Sequence, residues 1–161
     1  MITVNLKPYR LSLGIEAKEA AASVGIPLRT YHRYEQDDDY GSALKRSAML
    51  AALKERYEIT EDKGILTFES IQRIVTEVFD HQDEKPEFCY LFGSYAKGKA
   101  NDSSDVDLCI STALSGLAFL GLLEDLRGAL HKKVDLIRVG ELKDNIPLLK
   151  EIMKDGIRIY G

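Results

Sequence analysis

The hydrophobic pattern of this chain changes period near Gly64, and that change limits the fold more than any other feature of the sequence. Before it the patterns are helical. Leu11, Ile15, Ala20, Ala21 and Val24 recur mostly at three- to five-residue spacings, and Gly25 supplies a stop. A Gly25-Ile26-Pro27 turn leads into a second short helical segment, Leu28-Arg29-Thr30-Tyr31-His32-Arg33-Tyr34-Glu35. The acidic loop Gln36-Asp37-Asp38-Asp39-Tyr40-Gly41 follows, after which Ser42 is placed to cap a helix reaching about Tyr57. From Thr67 onward strands and helices alternate. Ile71, Ile74, Val75, Val78 and Phe79 mark one helical face, with further helices expected over residues 117–130 and 147–154. Phe88-Cys89-Tyr90-Leu91-Phe92, Val106-Asp107-Leu108-Cys109-Ile110 and residues 134–139 read as strands, and Ile157-Arg158-Ile159-Tyr160 as a fourth. The expected class is therefore α+β or α/β, a small mixed sheet of about four strands with flanking helices, preceded by an all-α domain. We place the domains at residues 1–63 and 64–161.

Length and charge narrow the function classes. The 161 residues allow one ordinary domain or two small ones, and 45% apolar with 30% charged residues fits a folded chain. The net charge of −4 excludes a polycation that coats nucleic acid, although residues 1–57 are net +2 and the remainder net −6. The longest nearly apolar run, residues 113–123, is too short to span a bilayer, and no membrane partner is expected. Residues 1–7 lack the basic-then-apolar order of a signal peptide. Cys89 and Cys109 lie in apolar runs without zinc-ligand spacing. They read as reduced thiols of a cytoplasmic protein, although neighbouring strands would let them meet. His32, His81 and His131 are too scattered to suggest a metal set.

The chemistry concentrates in one stretch. A strand ends in Gly93-Ser94, where glycine allows close backbone approach and a hydroxyl beside free amides suits a phosphate. Asp105 and Asp107 follow two residues apart, so that a strand turns both carboxylates to one face while Val106 and Leu108 face the core. Paired hard oxygens of this kind suit Mg²⁺ when phosphate and water complete its shell. Asp135, between Val134 and Leu136, is placed to add a third carboxylate from the next strand. The plainer reading of Gly-Ser is a turn, and that of Asp135 beside Lys132 and Lys133 a surface salt bridge. Like charges crowded on one strand face repel, however, unless a cation joins them. Gly93-x-x-x-x-Gly98-Lys99 nearly spells a P-loop, but Ala100 stands where Ser or Thr must hold Mg²⁺ and Asn101-Asp102-Ser103-Ser104 reads as loop.

Gly93-Ser94, ten residues, then Asp105-x-Asp107 resembles the signature of the DNA polymerase β-like nucleotidyltransferases, closest to their minimal nucleotidyltransferase branch, over about residues 65–161. Lys97 stands where that family often has Arg. The resemblance implies that Asp105, Asp107 and Asp135 bind Mg²⁺ and serve catalysis. It also implies that Gly93, Ser94, Lys97 and Ser104 bind the nucleotide, usually ATP, and that AMP passes to an acceptor hydroxyl. In this branch the partner is a HEPN-type toxin encoded alongside, modified on tyrosine and thereby silenced, which implies a hetero-oligomer or homo-oligomer. The first helices resemble the helix-turn-helix of Xre/Cro-type repressors, with Arg29, Thr30, Tyr31 and Arg33 on or beside the recognition helix facing operator DNA. Two other readings stay open at this point: a DNA-binding antitoxin without catalysis, and a small-molecule adenylyltransferase whose acceptor site spans a dimer.

Overall fold

The structure, a computed structural model, describes residues 5–161; residues 1–4 of the stretch read above for a signal peptide lie outside the described residues. The chain forms two compact units, Met1–Glu58 and Ile59–Gly161. The division falls five residues before the expected Lys63/Gly64 boundary. Thr60 and Lys63 close a turn, and that turn belongs to the second unit.

The first unit is helical: α1 (Leu6–Ser12), α2 (Ala17–Val24), α3 (Leu28–Gln36) and α4 (Ala43–Tyr57). The periodicity from Leu11 to Val24 reads as one helix, but Gly14 adopts φ +70° and separates α1 from α2, leaving Leu11 exposed. Gly25, at φ +75°, ends α2 in the left-handed conformation that glycine enters without Cβ strain. Leu6, Ala20, Ala21, Tyr31, Tyr34, Met49 and Leu53 form the core. Two buried arginines tie the unit together. Arg10 binds Glu35 through Nε at 2.6 Å and through its terminal nitrogen at 3.2 Å. Arg46 donates to the backbone carbonyls of Tyr34, Asp37, Asp38 and Tyr40, which meets the orphan acceptors at the end of α3.

The second unit runs α5 (Phe68–Asp80), β1 (Phe88–Phe92), α6 (Gly93–Ala96), β2 (Val106–Ser111), α7 (Gly116–Leu130), β3 (Val134–Arg138), a 3₁₀ turn (Val139–Asp144), α8 (Ile146–Asp155) and β4 (Ile157–Tyr160). The four-stranded sheet has the order β3-β2-β1-β4. β1 is antiparallel to both neighbours, and β2 pairs in parallel with β3 across the α7 connection. One sheet face carries Cys89, Leu91, Val106, Leu108 and Ile110 against Ile71, Val75 and Phe79 of α5 and Leu122, Leu126 and Leu130 of α7. The other face packs Phe92 and Cys109 beneath Leu142 of the 3₁₀ turn and Ile152 of α8. Cys89 and Cys109 thus sit on opposite faces of the sheet as buried free thiols, which removes the pairing that neighbouring strands allowed. Among the described residues no helix is long and apolar enough to cross a membrane.

Candidate active site

Val106 and Leu108 are fully buried in the helix-covered core, so strand alternation turns Asp107 to the opposite face. Asp107 lies in register with Asp135 on parallel β3 and opposite Phe92 on β1. Asp105 immediately precedes β2 and is exposed, Asp107 is half-buried, and Asp135 is exposed. The three aspartates therefore gather at one end of adjacent strands. They do not close on a point: among the described residues no three His, Cys, Asp or Glu side chains stand close enough to hold an ion by themselves.

Gly93 begins α6 directly after β1, with φ +72°. A Cβ there would collide with Asp107 Oδ2, so glycine is required both for the backbone conformation and for the carboxylate's approach. Ser94 is half-buried in α6, and its carbonyl accepts from the Lys99 amide at 2.9 Å. Ser104 spends its oxygen on loop geometry, accepting from the Asn101 amide at 2.8 Å. Residues 97–105 continue as turns and loop rather than as the helix a P-loop requires.

Electrostatics mark Asp107. Its carboxyl is pushed up to about 6, first by burial and then by the negative charges of Asp135, Asp105 and Glu151, against a smaller opposing pull from Lys97. Lys97 does not reach over the aspartates unopposed. Its ammonium donates to Glu151 Oε1 of α8 at 2.8 Å, and that bond, above all, raises its own pKa. The plainer reading of Asp135, a salt bridge with Lys132 or Lys133, is not what the described residues form. Lys132 is buried at 1% exposure and donates to backbone carbonyls, while Asp135 has no ion-pair partner among the described residues. Glu151 and Lys132 escaped the sequence reading, because their partners lie 54 and 30 to 71 residues away along the chain.

In the first unit, Arg29 and Arg33 are exposed on α3, Thr30 is partly exposed, and Arg29, His32, Arg33 and Gln36 line one open surface groove. Arg33 stacks over the Tyr40 ring at 5.7 Å. Tyr31 is different: it is fully buried in the helical core and cannot touch DNA. Its neighbour His32, unassigned from sequence, is exposed at that turn of the helix.

Comparison with known proteins identifies the family of the chain. The family model described as polymerase beta, nucleotidyltransferase matches residues 73–161, more than half of the chain. The protein adenylyltransferase MntA of Thermococcus cleftensis is 35% identical over 99 residues, covering 56% of this chain and 97% of that protein. MntA of Shewanella oneidensis is 30% identical over 79 residues, covering 48% of this chain and 55% of that protein. A solved crystal structure of a toxin–antitoxin with AMP-PNP has 27% identity, covers 56% of this chain and 73% of that one, and gives a TM-score of 0.48. A small mixed sheet with flanking helices, of this topology, is a nucleotidyltransferase fold. The chain belongs to the polymerase β nucleotidyltransferase family, and it is an enzyme of the nucleotidyltransferase class.

Proposed function

We propose that this nucleotidyltransferase moves AMP from ATP to a tyrosine hydroxyl of a HEPN-type toxin encoded beside it, with Mg²⁺, and so acts in the cytoplasm as that toxin's antitoxin. The observation that carries the reading is the in-register pair Asp107 and Asp135 beside the glycine turn at Gly93. The similarity to two proteins named as protein adenylyltransferases, one matched over nearly its full length, supports the acceptor class.

The residues divide the work as follows. Asp105 and Asp107 offer carboxylate oxygens to a divalent ion, and their incomplete set suits an ion whose remaining ligands are nucleotide phosphates and water. That ion, when bound, neutralises charge on the triphosphate. The backbone of Gly93 and Ser94 holds phosphate oxygens, and Lys97 turns from Glu151 toward the nucleotide. Ser104 borders the same pocket from the loop. Asp135 orients the acceptor hydroxyl and takes up its proton as the oxygen attacks the α-phosphorus. The bond between the α-phosphorus and the bridging oxygen breaks, pyrophosphate leaves, and AMP stays on the acceptor.

The exposed α3 face with Arg29, Thr30 and Arg33, entered through the Gly25 turn, supports a second role for the first unit in binding operator DNA.

Intact-mass spectrometry of the neighbouring toxin after incubation with this protein, Mg²⁺ and ATP tests the enzymatic reading. We expect mass steps of one AMP unit that vanish with Asp105→Ala/Asp107→Ala. A complex without mass steps would favour the non-catalytic antitoxin. Neither a complex nor a step would favour a small-molecule acceptor.

A further inference from the structure

Among the described residues Lys132 is the one buried lysine, at 1% exposure, and it forms no ion pair, although the charges of Asp102 and Asp62 act on it. Its ammonium donates instead to three backbone carbonyls, those of Asp102 at 2.6 Å, Lys63 at 3.3 Å and Glu61 at 3.5 Å. Three donors therefore meet three acceptors. Burying a cation is costly unless its hydrogen bonds are complete, and burial does press this group's pKa downward. A side chain held at such cost against the main chain fixes the path of that main chain.

The path it fixes carries the candidate site. Asp102 lies three residues before Asp105, and Lys132 lies three residues before Asp135. Next to Lys132, the Lys133 carbonyl accepts from the Val106 amide at 2.9 Å, at the start of β2. Among the described residues, the other side-chain hydrogen bonds of residues 98–105 are local, joining Asn101 with Ser103 and Ser104. Lys132 is thus the long-range tether of the loop that delivers Asp105. The same ammonium pins the 61–63 turn behind that loop, and the Tyr95 hydroxyl, from α6, accepts from the Leu66 amide at 3.4 Å.

We propose that Lys132 is a positioning residue for nucleotidyl transfer, clamping the Asp102 carbonyl and the 61–63 turn so that Asp105 stands beside Asp107 in metal-binding geometry. The proposal rests on the reading of these aspartates given above. Displacing a carboxylate by an ångström suffices to cost about two orders of magnitude in rate.

The test compares Lys132→Met, Lys132→Arg and, as a control, Leu126→Ala, which opens a cavity in the α7 core away from the loop. Three quantities are measured on the full chain. These are hydrogen exchange of residues 99–105, Mn²⁺ binding in the presence of a non-hydrolysable ATP analogue, and AMP transfer. We expect Lys132→Met to speed loop exchange, to weaken Mn²⁺ binding about tenfold and to lower kcat by about tenfold or more. Lys132→Arg, which keeps the charge in a different shape, should fall between it and the wild type, and it carries the test if Lys132→Met does not fold. Leu126→Ala should lower Tm without weakening Mn²⁺ binding. Unchanged loop exchange or unchanged Mn²⁺ binding in both Lys132 variants overturns the proposal, as does an equal loss of Mn²⁺ binding in Leu126→Ala. A wild type that neither binds Mn²⁺ with the analogue nor transfers AMP counts against the proposed function itself, and loop exchange then decides the clamp separately.

Discussion

At the scale of single residues, Gly93 at the start of α6 and Asp107 on β2 are one constraint seen from two elements. The glycine's φ of +72° and the carboxylate standing where a Cβ would be make Gly93→Ala doubly unfavourable. We expect that variant to lose about 1–3 kcal/mol of stability in urea unfolding and most of its AMP transfer. Asp107 shows the opposite trade between function and stability. Its folded pKa, about 6, lies above the ordinary aspartate value of 3.8, so the protonated form is the one the fold favours. That contribution is complete below the unfolded pKa and disappears as pH rises through the folded one. Asp107→Asn should therefore stabilise the metal-free protein at about pH 7.5 by about 1 kcal/mol after allowance for solvent screening, seen as a higher Tm, and should change stability little at about pH 4. Transfer should be abolished. Scanning calorimetry at both pH values checks the sign. Asp105, Asp107 and the Gly-Ser turn were legible in sequence because strand period and loop length are local properties. In sequence Lys132 entered only the plainer salt-bridge reading of Asp135, since nothing local reports that a lysine is buried.

At the scale of elements, α8 matters more than its place at the end of the chain suggests. The sequence places a helix over residues 147–154, and the structure runs it over Ile146–Asp155 with Asn145 as cap and Pro147 in the first turn. What the pattern could not indicate is that α8 sets Glu151 against Lys97 and adds a negative charge near Asp107. Glu151→Gln should free Lys97 for the triphosphate and lower KM for ATP severalfold. Its effect on stability should be small, because the pair is substantially solvated. Steady-state kinetics with thermal melts separates the two effects. In the first unit, the helices were legible from periodicity, but the break at Gly14 and the burial of Tyr31 were not. Both depend on how the helices pack, and a period alone leaves the orientation of a nine-residue helix free by about one position.

At the scale of the molecule, the division at Glu58/Ile59 assigns the 59–63 turn to the catalytic unit. A fragment beginning at Ile59 should keep AMP transfer and lose binding to operator DNA. One beginning at Ile65 forfeits the Glu61 and Lys63 carbonyls and should lose transfer as well as stability. Parallel assays of the two fragments, by mass spectrometry and DNA mobility shift, check this. The sequence by itself determined the succession of helices and strands, the class of the sheet and the stretch that carries the chemistry. Each of these follows from side-chain period and from residues close together along the chain. Only the tertiary structure decided that Asp135 stands in register with Asp107, that Glu151 holds Lys97, and that Lys132 is a buried clamp. Those contacts join residues 28 to 71 positions apart, and strand register, helix docking and burial are fixed by the packing of the whole core.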